Sequence, residues 1–274
     1  MKIIVSHDVD HITFCEHKKD MLIPKFVIRN LLEFACRHIS LIEILERFKS
    51  IINNKWHNLD ELMAFNKANN IPSTFFLAVS NGRGLSYSLR DSEFWIRKIL
   101  QEGFDVGVHG IAFDNYEDIK KEYDLFKTIS GLELFGIRMH YLSNSDNTLD
   151  YLSKVGYAFD TTLYNFDNPY KVNNLWEFPL FIMDVYIIRK NSSLQNQSLE
   201  QAKEATIKII DDVYKNDIRY LTVNLHDRFF NDRFKIWKEW YIWLIDYLKN
   251  NKFEFIGYHD AIKELEEHLI LCKK

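Results

Sequence analysis

Eight short apolar runs punctuate this chain, and most are apolar at nearly every position instead of at alternate ones. They read KIIVS (2–6), STFFLAV (73–79), FDVGV (104–108), LFGIR (134–138), YAFD (157–160), FPLFIM (178–183), YLTVNL (220–225) and FEFIGY (253–258). A strand that is apolar on both faces must be covered on both faces, which suits parallel strands flanked by helices. The stretches between the runs have helical apolar spacing, at 59–70, 91–103, 116–131, 148–156, 198–216, 234–250 and 259–269. Asp91 and Ser198 are expected as N-caps, and Gly103, Gly131 and Gly156 as helix-ending glycines. Seven or eight β/α repeats in 274 residues predict an α/β fold, a (β/α) barrel that is complete or one strand short. A doubly wound sheet is the weaker choice. It needs a Gly-rich βα turn, and NGRG (81–84) is too short and too far from a helix start.

Residues 12–55 fall outside the repeat. Their helical spacing, LIPKFVIRNLLEFACRHISLIEILERFKSII (22–52), reads as an insertion over one barrel rim. It serves as core cover, lid or dimerisation face, and the sequence does not choose. With no repeat, low-complexity tract or linker, residues 1–274 read as one domain.

Charge and cysteine content narrow the functional classes. The 35 basic and 39 acidic residues leave a net charge of −4, with no basic footprint for nucleic acid. Three cysteines (Cys15, Cys36, Cys272) without CxxC spacing give neither a disulfide framework nor a cysteine zinc site. The first apolar run is too short for a signal peptide, and no long uncharged stretch suggests a transmembrane helix. The expectation is a soluble cytoplasmic protein; its oligomeric state is not legible.

Polar residues fall where the strands end. His7-Asp8-Val9-Asp10-His11 follows the first run, and His109-Gly110 with Asp114 follows the third. Arg138-Met139-His140-Tyr141, Asp160, Asp184 and His226-Asp227 follow later ones. In a barrel the βα loops converge at the C-terminal strand ends, so these residues should ring one rim. If the first strand runs through its motif, Asp8 and Asp10 share a face about 6.6 Å apart. Two ionised carboxylates there repel by about 2.5 kcal/mol at an effective dielectric of roughly 20. A divalent metal or Arg138 would relieve that repulsion. Aspartate with histidine at open coordination is the composition of catalytic zinc-type sites. His109 precedes a glycine where a substrate could approach the backbone, and His226 could act as an acid oriented by a carboxylate. Taken singly, each is ordinary as a capped turn, loop hydrogen bond or salt bridge. Six such strand ends together favour a catalytic rim. The aromatics Trp176, Tyr164, Phe166 and Phe229 fall near the expected rim, where a sugar could stack.

These residues resemble the polysaccharide deacetylases, carbohydrate esterases with a NodB-homology domain, over most of residues 1–260. SHDVD resembles the family's first motif, VHGIAFD its second, RMHY (138–141) its Arg-x-x-Tyr motif and NLHD (224–227) its last. GYAFDTTL (156–163) is similar to the most specific family segment, and EFPLFIMD (177–184) to the pocket-forming strand that brings an aspartate or tryptophan near the acid. The wording suggests a divergent branch similar to deacetylases encoded with O-antigen genes.

The resemblance implies a distorted (β/α)7 barrel and a divalent metal, zinc foremost. It implies Asp8 as general base, Asp10 and His109 as metal ligands, and Arg138 orienting Asp8. The backbone N–H of Tyr141 would then serve the oxyanion hole and His226 would be the general acid. The second motif departs from its His-[Ser/Thr]-x-x-His pattern, because position 113 is Phe. Asp114 or His140 is left as the substitute third ligand, with Asp114 favoured because it lies within the motif. The implied function is metal-dependent removal of an N-acetyl group from a sugar or polysaccharide precursor. The alternatives are hydrolysis of a non-sugar C–N (amide) bond, and an inactive carbohydrate-binding or assembly relative.

Overall fold

Strand and helix alternate along the chain, as the apolar runs predict. The computed structural model describes residues 1–190 and 192–271. The first strand, β1 (Lys2–Val9), leads into the insertion with α1 (Leu22–Ala35) and α2 (Leu41–Ile52). Then come α3 (Leu59–Ala68), β2 (Ser73–Leu77), α4 (Leu89–Gln101), β3 (Asp105–Gly110), α5 (Tyr116–Ser130) and β4 (Gly136–Met139). The next elements are α6 (Thr148–Val155), β5 (Phe159–Asp160), β6 (Tyr170–Val172), β7 (Leu175–Glu177), β8 (Ile182–Met183) and α7 (Asp184–Arg189). The chain closes with α8 (Leu199–Lys215), β9 (Tyr220–Asn224), α9 (Lys235–Asn250), β10 (Glu254–Phe255) and α10 (Tyr258–Leu271).

The sheet runs β6-β7-β5-β4-β3-β2-β1-β9-β8, with β10 added on β1. The β6–β7 pair is antiparallel and the other pairings are parallel. The sheet curls, and among the described residues its two ends, β6 and β8, are not paired with each other; the chain crosses the gap in the stretch between β7 and β8. There the Leu180 N–H donates to the Leu163 carbonyl at 2.7 Å. The architecture is a distorted (β/α)7 barrel.

Local details differ from the sequence expectation for physical reasons. β1 runs on to Val9, so Asp8 lies within a strand. The run at 178–183 is broken, because Pro179 has no N–H for a ladder; strand survives in it only at β8, and β7 lies just before it. Ser88, not Asp91, caps α4: its Oγ accepts from the Asp91 N–H at 3.1 Å. Ser198 caps α8 in a reciprocal box with Gln201. Gly103, Gly131 and Gly156 all have positive φ at helix ends.

Residues 12–55 form a short 3-10 turn (Cys15–His17), α1 and α2. A buried polar hub fastens them to the barrel. Arg47 on α2 donates to the Arg233 carbonyl at 2.7 Å, to Asn30 at 2.9 Å and to Glu33 at 2.7 Å. Glu33 also accepts from the Gln195 N–H, and Gln195 accepts from Trp237 Nε1. Breaking a buried ion pair by removing one partner costs about 3–5 kcal/mol, so this hub holds the insertion in one place. Ile28, Leu31, Leu32, Ile42 and Leu45 remain exposed on its outer side. Cys15 and Cys36 are free, and Cys272 lies outside the described residues.

Candidate active site

Alternation along parallel strands sends every second side chain into the barrel. On β1 these are Ile4, Ser6 and Asp8, with Asp10 just beyond the strand; Ile3, Val5 and Val9 pack outward against the helices. The floor is a cluster of Ile4, Phe76, Phe159, Phe178, Tyr220 and Tyr258. Glycine makes room for it. A Cβ on Gly136 would lie 2.2 Å from the Phe159 ring, and one on Gly107 would lie 2.6 Å from the Phe76 ring. The floor is thus apolar and full, which leaves the polar residues above it at the C-terminal strand ends.

The first polar layer centres on Asp8. Its Oδ1 accepts from Arg138 Nη1 at 3.0 Å and its Oδ2 from Asn224 Nδ2 at 2.9 Å. Arg138 is fully buried, and also donates to Asn224 Oδ1, the Thr161 carbonyl and the Tyr258 hydroxyl. Burial alone would raise the Asp8 pKa, but the Arg138 guanidinium outweighs it and holds the carboxyl below its ordinary value. Asn224 was not singled out in the sequence. Its signal was its place two residues before His226 at the end of a buried strand.

Above this layer Asp10, His109 and His140 converge. His109 Nε2 lies 3.1 Å from His140 Nδ1 and 3.3 Å from Asp10 Oδ1, and His140 Nδ1 lies 3.5 Å from the same oxygen. The outer nitrogens settle the tautomers, because a carbonyl only accepts. His109 Nδ1 donates to the Arg138 carbonyl at 3.1 Å, and His140 Nε2 donates to the Arg83 carbonyl at 3.2 Å. Two imidazole lone pairs and a carboxylate oxygen therefore face one point, a donor set that suits a cation. A tetrahedral zinc-type ion with bonds of about 2.0–2.1 Å separates its ligand atoms by about 3.3–3.4 Å. The donor set and all three edges fit such an ion, and the backbone carbonyls behind the rings are the outer partners that ligating histidines use. Burial lowers the His140 pKa to about 4, keeping its ring neutral. Burial would raise Asp10, but His226, His109 and His140 bring it well below the carboxylate range.

Asp114, the substitute favoured from the sequence, does not join this group. It is exposed on the loop before α5, where the next residue, Asn115, caps the helix. His140 joins the group instead: it lies two residues beyond the inward Arg138, just before a tight turn with left-handed backbone at Tyr141 (φ 57°) and Leu142 (φ 51°).

His226 completes the rim. Its Nδ1 bonds Asp184 Oδ1 at 2.8 Å, its backbone N–H donates to Asp184 Oδ2 at 2.9 Å, and its Nε2 lies 3.7 Å from Asp10 Oδ2. Burial opposes charge on the ring, but Asp184 first and then Asp10 outweigh it and raise the pKa to about 9. The partner of His226 is therefore Asp184, not the adjacent Asp227, whose Oδ2 accepts from the Asn58 N–H. Asp8, Asp10, His109, His140, Tyr141 and His226 line one cavity of about 390 Å³, roofed by the insertion. Phe229 and Trp56 also line it. Trp176 is instead buried in the floor cluster, and Tyr164 and Phe166 lie outside the cavity lining.

Beside the polar layers, Asp160 and Glu177 are both fully buried. Glu177 Oε1 accepts from the Leu163 N–H, and its Oε2 has no donor. Burial, and then Asp160 beside it, push the Glu177 carboxyl well above its ordinary value, so the pair shares a proton. A raised folded pKa gives stability that is complete below the unfolded value of 4.5 and lost as pH rises through the folded value. Glu177→Gln supplies a permanent N–H in place of that proton. Denaturant midpoints should move in favour of this variant as pH goes from 5 to 9; parallel curves would contradict the shared proton.

No family model and no curated protein matches the sequence. Solved structures do match. A polysaccharide deacetylase candidate from Mycobacterium smegmatis is 16% identical with a TM-score of 0.62, over 99% of this chain and 90% of the other. A second candidate, from Pseudomonas aeruginosa PAO1, is 13% identical with a TM-score of 0.61, over 94% and 88%. The Puue allantoinase is 13% identical with a TM-score of 0.62, over 94% and 87%. The chain resembles these proteins in fold across nearly its whole length, and the barrel it builds is that of the polysaccharide deacetylases.

Proposed function

We propose that this chain is a metal-dependent hydrolase that removes an N-acetyl group from a sugar or polysaccharide precursor. Asp10, His109 and His140 would hold a divalent ion, with zinc best suited to two imidazoles and a carboxylate. The observation that carries the proposal is the Asp10–His109–His140 triangle, set between Asp8 and His226 in one cavity. A bound ion would polarise the acetyl carbonyl and acidify an attacking water.

The chain's own residues supply the proton traffic. Asp8 stays ionised in the neutral range and can accept the water proton, while Arg138 and Asn224 fix its orientation without touching substrate. His226, oriented through Nδ1 by Asp184, would carry a proton on Nε2 and give it to the departing amine. The C–O bond to water forms, the C–N bond breaks, and acetate and the free amine leave. The Tyr141 backbone N–H is the donor assigned to the developing oxyanion. Free, exposed Cys15 and Cys36 suit a cytoplasmic setting. Among the described residues, no helix is long and apolar enough to cross a membrane.

One observation favours a second reading, hydrolysis of a non-sugar amide: the likeness to the allantoinase has the same TM-score as the likeness to the first deacetylase candidate. Acetate release by zinc-loaded protein from N-acetylated sugars, compared with ring-opening or cleavage of non-sugar amides, separates the two. His226→Ala should lower kcat on the accepted substrate by a factor of about 10²–10⁴ with metal content unchanged. A zinc-loaded protein inert towards both classes would instead be the inactive relative.

A further inference from the structure

Three arginines face the same cavity without a carboxylate partner. Arg29 comes from α1 of the insertion, Arg189 from the end of α7, and Arg228 from the 3-10 turn Asp227–Phe229. Among the described residues, none of the three has a carboxylate oxygen within 4.0 Å. The Nε atoms of Arg189 and Arg228 are buried and lack any hydrogen-bond partner. The two guanidinium groups flank one ring: Phe229 lies 5.6 Å from Arg189 Cζ and 4.5 Å from Arg228 Cζ. Arg47 nearby behaves differently, for it is matched by Glu33.

The carboxylates that line the cavity are already engaged. Asp8 is held by Arg138, Glu33 by Arg47, and Asp10 belongs to the cation triangle. Lys25 and Lys190 add further positive charge to the lining. The repulsion is felt within the cluster. Burial first, and then Arg29 and Arg228, bring the Arg189 pKa down to about 9. Like charges gathered in a half-buried cavity destabilise the empty protein, so the arrangement makes sense against an anion. One carboxylate satisfies one guanidinium fork, whereas a phosphoryl group offers three oxygens and about two charges to several.

We propose that the cavity takes an anionic sugar, with Arg29, Arg189 and Arg228 forming a subsite for the phosphate or diphosphate ester it carries. The acetyl-sugar half of this inference rests on the deacetylase reading; the phosphate half rests on the arginines alone. Calorimetry on the zinc-loaded protein, with N-acetylglucosamine 1-phosphate against N-acetylglucosamine, tests it. The phosphate ester should bind at least tenfold tighter. Arg189→Gln and Arg228→Gln should each remove at least tenfold of that preference and leave binding of the neutral sugar within twofold. Both variants should melt no lower than wild type when unliganded, because a repulsion is removed; a structural arginine would do the opposite. Arg29→Gln, on the insertion, is the independent third variant. A nucleoside diphosphate sugar and an alkyl-phosphate sugar serve as further arms, and a tighter complex with either supports the subsite and names the source of the phosphate.

Equal affinity for ester and free sugar overturns the proposal, as does a preference untouched by the variants. N-acetylglucosaminuronate binding as tightly as the phosphate also overturns it, in favour of a carboxylate site. Phosphate-dependent binding without acetate release would sink the deacetylase reading and leave the subsite standing. Acetate release with no phosphate preference would do the reverse.

Discussion

Asp8→Asn is expected to lower kcat by a factor of about 10²–10⁴, the contribution of a positioned acid–base group. The substitution keeps the shape of the side chain and removes the charge that accepts the water proton. It also disturbs the packing beneath, in a way the hydrogen bonds specify. Asp8 accepts from both Arg138 and Asn224, whereas an asparagine has one accepting oxygen. Its amide would face the Asn224 amide, and Asn224 cannot flip without losing its own bond from Arg138 at 2.7 Å. The buried guanidinium would lose its counter-charge, so a stability loss of about 3–5 kcal/mol should accompany the kinetic one. The two effects separate when kcat is expressed per folded, zinc-loaded molecule, with circular dichroism and metal content measured on the same sample. Asn224→Ala offers a second view. It keeps the carboxylate and the Arg138 bond, so its kcat should fall by less than that of Asp8→Asn. Wild-type turnover in Asp8→Asn would remove Asp8 from the chemistry.

The sequence made some of this arrangement legible because strands have a period of two. Once β1 is seen to run on to Val9, Asp8 lies on its inner face, and Asp10, the first residue past the strand, continues that alternation. His109, Arg138 and His226 follow from the same rule at the ends of their own strands. The strand boundary at Pro179 and the cap at Ser88 were also open to local reasoning, through a missing N–H and a hydroxyl one turn earlier.

What stayed hidden depends on backbone direction after a strand ends. Whether Asp114 turns inward is decided by the loop after β3, whereas His140, two residues past the inward Arg138, keeps the alternation of β4 just before the left-handed Tyr141 and Leu142. The carboxylate behind His226 was legible only through the family resemblance, which points to the Asp184 that ends EFPLFIMD; local sequence alone offers Asp227. Asp227 is adjacent in sequence, but side chains of neighbouring residues diverge, and Asp184 arrives from the next strand. The arginine cluster joins positions 29, 189 and 228, which no local pattern links.

The choice between the two substitute ligands yields the sharpest contrast in the molecule. His140→Ala should abolish retention of zinc through dialysis and reduce turnover in step with metal content. The reason lies in the donor count. Asp10 and His109 alone leave an ion two protein donors, fewer than the three that catalytic zinc sites use. The loss should therefore exceed the 10–100-fold drop in metal affinity expected from removing a mere outer partner. Asp114→Ala should leave zinc content and kcat within about twofold of wild type, since an exposed loop side chain away from special features changes little. Zinc per chain and kcat, measured for both variants at limiting and at saturating zinc, distinguish a ligand from a neighbour. Saturating metal should partly rescue His140→Ala if binding alone is weakened. The reversed pattern would mean that the loop before α5 folds inward around the ion. A fully loaded, fully active His140→Ala would mean that the convergence of Asp10, His109 and His140 is a hydrogen-bonded cluster around a proton, and the hydrolytic proposal would lose its electrophile.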